Sequence, residues 1–118
     1  MKFLALLVML ASASTFAAEY GVCDYIDSTD FVDAKTVIST ADRPSRFSAF
    51  EKKLVKEASE LVGKSLKNGF ISYYNVNGKM IALVSSLIDE EHYGAFFEVK
   101  ASSSKLIATI ENDSIVCN

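Results

Sequence analysis

The hydrophobic positions of this chain change period twice. Phe3 to Leu10 is an unbroken apolar run behind the single charge of Lys2. Farther on, Phe47, Phe50, Leu54, Ala58, Leu61, Val62 and Leu66 recur mostly at steps of three and four, which gathers them into one stripe of an α-helix. That helix is expected to start between Ser45 and Ser48. Pro44 is tolerated in a first turn, and Ser48 with Glu51 has the capping-box spacing. Lys64 and Lys67 complement the carboxyl-end dipole, and Asn68-Gly69 offers a left-handed stop.

From Phe70 the period is that of strands. Phe70–Val76 and Met80–Ile88 flank Asn77-Gly78, the preferred pair for a two-residue hairpin turn. Such a turn puts Phe70, Tyr74, Ile81, Leu83 and Leu87 on one face and Ile71, Tyr73, Met80, Ala82, Val84 and Ile88 on the other. Both faces are apolar. One helix covers one face, so the other is expected to be covered by the N-terminal segment, by sheet curvature or by a partner. This makes the first hairpin the candidate surface for another protein or a second copy.

A second hairpin joins His92–Lys100 to Lys105–Glu111 across Ala101–Ser104. A four-residue loop pairs Val99 with Leu106, Phe97 with Ala108 and Ala95 with Ile110, a register that keeps the apolar residues together. Ser114–Cys117 is a last short strand, or a continuation past a bulge at Asn112-Asp113. Residues 19–41 are ambiguous: Tyr20, Val22, Tyr25 and Ile26 suit a strand, while Ser28, Phe31, Ala34 and Ile38 suit a short helix. The expected fold is α+β, one long amphipathic helix packed on an antiparallel sheet of about four or five strands.

The apolar run at the start has another purpose. With Lys2 before it and small residues through Ala17 after it, residues 1–17 have the layout of a secretory signal peptide, cleaved after Ala17. The run is well short of the roughly 20 residues that span a bilayer. Residues 18–118 then form a single exported domain, periplasmic or extracellular, with no membrane span. Cys23 and Cys117 are the two cysteines, one near each end of that domain. In an oxidising compartment they are expected to form a disulfide joining the N- and C-terminal segments. Closing so long a loop is worth on the order of 4 to 5 kcal/mol in the chain-entropy picture.

Composition narrows the function classes. The chain has 118 residues, half of them hydrophobic, and a formal charge of −3. That is enough apolar content for one small core and too little positive charge to hold a nucleic-acid backbone by charge alone. The charge is unevenly placed: residues 18–41 and 70–118 are acidic, whereas Arg43, Arg46, Lys52, Lys53 and Lys56 enrich the start of the helix in cations. An acidic partner could meet them, although a solvated helix face is the ordinary use of such residues.

Chemistry-bearing constellations are sparse. His92 is the single histidine and follows Asp89-Glu90-Glu91. It is the candidate residue for a small hydrolase or metal-dependent enzyme. Consecutive side chains at a turn seldom converge, however, and zinc ordinarily needs more nitrogen or sulfur than one imidazole supplies. Neither G-x-G-x-x-G nor P-loop spacing occurs, so no nucleotide or other cofactor is expected. Tyr73-Tyr74 and Phe96-Phe97 are aromatic doublets on strands, explained at least in part by core packing.

The order strand, helix, antiparallel meander, with a hairpin tip reading Tyr74-Asn75-Val76-Asn77-Gly78, resembles the layout of cystatin-type protease inhibitors. The likeness lies in the element order and the Val76-x-Gly78 spacing. Tyr74 stands where that family has glutamine, and the chain has no tryptophan for the family's second loop. The resemblance implies an inhibitor acting through residues 75–78. The residues themselves favour a small exported, non-enzymatic binding or interaction module; the inhibitor and the His92 enzyme are the alternatives.

Overall fold

The computed structural model describes Cys23, residues 35–43 and residues 45–117. The expected signal peptide, its cleavage after Ala17 and most of the ambiguous segment 19–41 lie outside the described residues. Among the described residues, six strands make one antiparallel sheet in the order of the chain: β1 Lys35–Ser39, β2 Phe70–Val76, β3 Lys79–Ile88, β4 Glu91–Lys100, β5 Ser103–Glu111 and β6 Ser114–Cys117. Five of them, β2 to β6, lie where the alternating pattern puts them; β1 adds one edge from within the ambiguous stretch.

Local turn chemistry explains the regular part of the sheet. Asn77-Gly78, Asp89-Glu90 and Asn112-Asp113 all have positive φ at both positions, the conformation whose twist matches paired strands. The first of these sets Val76 opposite Lys79 and Phe70 opposite Ser85, the register expected from the sequence. At β1 a bulge leaves Val37 extra between the Thr36–Tyr74 and Ile38–Tyr73 pairs. Past the end of β1, Thr40 is buried in a 3-10 turn, Thr40–Asp42, and its Oγ1 accepts the Ile71 N–H at 2.8 Å. A side chain thus extends the β1–β2 ladder where the backbone turns away.

The helix α1, Ala49–Val62, is shorter than expected. Ser48 caps it as the sequence implies, with its Oγ accepting the Glu51 N–H and the Glu51 carboxylate accepting the Ser48 N–H. The stop comes at Gly63, not at Asn68-Gly69. Gly63 adopts φ 69, ψ 24 and donates its N–H to the Ser59 carbonyl. Ser59 reinforces the return: its hydroxyl donates to the Val55 carbonyl at 2.7 Å and accepts the Leu66 N–H at 3.0 Å. Leu66 is therefore buried as foreseen, but from the return loop rather than from the helix. Leu61, assigned to the stripe, is 46% exposed, and Val55 takes a place in the core.

Two apolar layers result. On one face of the sheet, Leu54, Val55, Ala58, Val62 and Leu66 pack on Ile71, Ala82, Val84, Tyr93, Ala95, Phe97 and Val99. On the other, Tyr74, Val76, Ile81, Leu83, Phe96, Ile107, Ala108 and Ile110 form a second buried cluster, with Cys23 and Ile115 against it. The Cys23–Cys117 disulfide is present, with a Cα–Cα distance of 5.8 Å. It fastens the N-terminal part of the domain at the end of the last strand.

The second hairpin departs from the expected register. The turn is Ala101-Ser102 rather than a four-residue loop, and Phe97 pairs with Leu106 while Phe96 pairs with Ala108. The extra residue is Ile107. This bulge sends Leu106 to the helix-covered face and Ile107, Ala108 and Ile110 to the opposite one. Opposite β5, Gly94 permits β3 and β4 to approach closely, since a Cβ there would lie 1.9 Å from the Val84 carbonyl oxygen.

Candidate functional site

Along one flank of α1 runs an open groove of about 470 Å³, lined by Phe47, Lys52, Val55, Lys56, Ser59, Glu60 and Lys67. Helical spacing places Lys52, Val55, Lys56, Ser59 and Glu60 together, because residues three and four apart are neighbours on a helix surface. The ends are set by two other devices. Phe47 immediately precedes the cap, and the Arg46 guanidinium lies 5.0 Å from its ring centroid. Lys67 follows Leu66, whose burial and bond to Ser59 bring the return loop back beside the helix.

The groove wall is mostly carbon, and Phe47, Val55 and the long stems of the lysines are the lining residues that can supply it. Lys52, Lys56 and Lys67 are exposed, and no ion pair with a described residue neutralises them. Glu60 is the one carboxylate in the lining. The sequence marks these lysines as part of a basic stretch. It does not show that they share a groove, because Lys67 joins the others only through the unforeseen helix stop at Gly63.

Close to the amino end of α1, Glu51 is buried, at 2% exposure, and fully engaged. Its Oε1 accepts from the Ser48 N–H at 2.8 Å and from Arg43 Nη1 at 2.6 Å, and its Oε2 accepts from the Tyr73 hydroxyl at 2.5 Å. Burial alone would raise the carboxyl pKa; the Ser48 N–H, the Tyr73 hydroxyl and the Arg43 guanidinium together outweigh it and hold the group below the usual glutamate range. Burial and the neighbouring carboxylate push the Tyr73 hydroxyl up. The arrangement is a satisfied ionic knot that ties the 3-10 turn, α1 and β2 together. Its exposed surface is small, and it presents no atom that a ligand must complete.

His92 lies in β4, buried, and the acid beside it is none of the three that precede it. Its Nδ1 is 2.7 Å from Asp113 Oδ1, which also accepts the His92 N–H at 2.7 Å. Asp113 returns its own N–H to the His92 carbonyl, and the Tyr93 hydroxyl donates to Asn112 Oδ1. His92 and Tyr93 therefore pin the β5–β6 turn from the two sides of β4. Asp113 was missed by sequence reasoning, as only the strand order brings it to His92. Among the described residues, no group of three or more metal-ligating side chains occurs.

The remaining candidates are placed as follows. At the 75–78 tip, Val76 is only 2% exposed and belongs to the second core cluster; Asn75, Asn77 and Gly78 are the exposed residues. Asn75 Oδ1 accepts the Gly78 N–H at 3.1 Å, which braces the turn. The apolar faces of the first hairpin are both largely buried within the chain. The aromatic doublets are divided between the two layers, Tyr73 and Phe97 facing the helix, Tyr74 and Phe96 facing away. No helix among the described residues is long and apolar enough to cross a membrane. Compared with protein-family models, curated proteins and solved structures, the chain finds no match.

Proposed function

We propose that this protein is a small exported, non-enzymatic binding module and that its contact surface is the basic flank of α1. The observation that carries this reading is the groove itself: three exposed lysines, unneutralised by any described residue, around a carbon wall. A groove of this size falls within the range of small-molecule sites, roughly 300 to 1,000 Å³. Export rests on the leader at residues 1–17, and the Cys23–Cys117 bridge supports an oxidising destination. The first hairpin is the weaker surface, because its apolar side chains are already used within the fold.

Native mass spectrometry of the protein isolated from its own extracytoplasmic compartment tests the proposal. A bound mass increment is expected, and it should be lost when Lys52→Glu and Lys56→Glu are combined. An increment that survives those substitutions would place the contact elsewhere.

A further inference from the structure

We infer that the groove on α1 takes a single-chain anionic amphiphile, an alkyl chain ending in a carboxylate, sulfate or phosphate. The inference rests on the reading of α1 as the contact surface and adds the chemistry of what it contacts. Two properties of the groove must be met at once. Its lining is mostly carbon and includes Phe47, Val55 and three long-stemmed lysines, a surface that gains by covering alkyl carbon. Lys52, Lys56 and Lys67 belong to that lining and are exposed, so their ammonium groups can compensate an anionic head without taking it out of water.

Other anionic occupants fit less of this. An acidic polypeptide would meet the lysines but leave the carbon wall unused, and Glu60 interrupts the row of cations along the helix. An anionic bilayer would call for apolar side chains standing out from the helix, and Leu61 is the only large hydrophobic residue of α1 that is exposed. A lone alkyl chain lies along the groove rather than receiving an inserted helix.

Fluorescence titration of the intact, disulfide-bonded protein with dansyl-undecanoate tests this directly, since the chain contains no tryptophan to interfere. Saturable binding at one equivalent is expected. Dodecanoate should displace the probe, dodecyltrimethylammonium should not, and affinity across an alkanoate series should rise roughly two- to fourfold per methylene. Combining Lys52→Glu with Lys56→Glu should weaken the probe at least tenfold, and Phe47→Ala should weaken it severalfold, with far-ultraviolet circular dichroism unchanged. Equal displacement by the cationic amphiphile would overturn the inference by removing the role of the lysines. Binding of poly-glutamate or anionic vesicles in a Lys52- and Lys56-dependent manner, without binding of dodecanoate, would overturn the ligand class and leave the contact surface standing. No binding of any of these probes would overturn the ligand class, while the contact surface would still stand or fall on the mass increment and its loss with Lys52→Glu and Lys56→Glu.

Discussion

Among the described residues, two polar knots built round carboxylates of different exposure use similar chemistry to different ends. Glu51 sits between α1 and β2 with a guanidinium, a phenol and a backbone N–H on its two oxygens. Asp113 sits in the β5–β6 turn with an imidazole and a backbone N–H on one oxygen. Glu51 is 2% exposed; the Asp113 side chain is 41% exposed. The first carboxylate has lost its water and depends on every partner it has, whereas water can replace part of what the second would lose. Two carboxylate contacts of nearly equal length, 2.6 Å to Arg43 and 2.7 Å to His92, should therefore differ severalfold in what they contribute to stability.

Matched isosteric neutralisation breaks the comparison most sharply. Glu51→Gln should cost ~3 kcal/mol, read as a lowered urea midpoint at neutral pH, because it leaves Arg43 facing a neutral amide and forces the Tyr73 hydroxyl to give up its bond to a carboxylate and accept from the amide instead. A cost below about 1 kcal/mol would show that the knot is solvated in solution. Tyr73→Phe should be the next largest, about 1.5 to 3 kcal/mol, since it removes a hydroxyl bond to a charged group and keeps the ring in the helix-facing layer. Asp113→Asn should cost no more than ~1 kcal/mol, because the Asp113 side chain is 41% exposed, so water replaces part of what is lost, and an asparagine oxygen still accepts the His92 N–H.

The smallest and most diagnostic effect is in the pH dependence. Glu51 ionises more readily folded than unfolded, so its contribution is present above the ordinary glutamate value, about pH 4.3, and is lost as pH falls through the lower folded value. The stability gap between the native protein and Glu51→Gln should accordingly narrow as denaturation is followed from about pH 5 toward pH 3. A gap that widens on acidification would reverse the sign assigned to this carboxyl.

Some of this architecture was legible before any coordinates. Asn77-Gly78 specifies a two-residue turn by its own backbone preferences, and from that turn the register of β2 and β3 and the division of Tyr73 from Tyr74 follow. Ser48 and Glu51 announced the start of α1, because a capping box is closed within one turn of chain. The groove was legible only in part. Its lysines at 52 and 56 follow helical spacing, but Lys67 belongs to it through Gly63, where one left-handed residue ends the helix earlier than Asn68-Gly69 would have done.

By itself, then, the sequence determined the elements whose hydrogen bonds close within a few residues: the capped start of α1, the alternating strands and the Asn77-Gly78 turn. It also supplied the single possible intramolecular disulfide, from two cysteines. Tertiary structure alone decided the bulge at Ile107, the second role of Glu51 with Arg43 and Tyr73, the meeting of His92 with Asp113, and the gathering of three lysines round one groove. The physical reason is the same in each case. Period and turn chemistry are local and repeat along the chain, whereas a bulge or a buried charge is stable only when strands and helix from distant positions supply its partners.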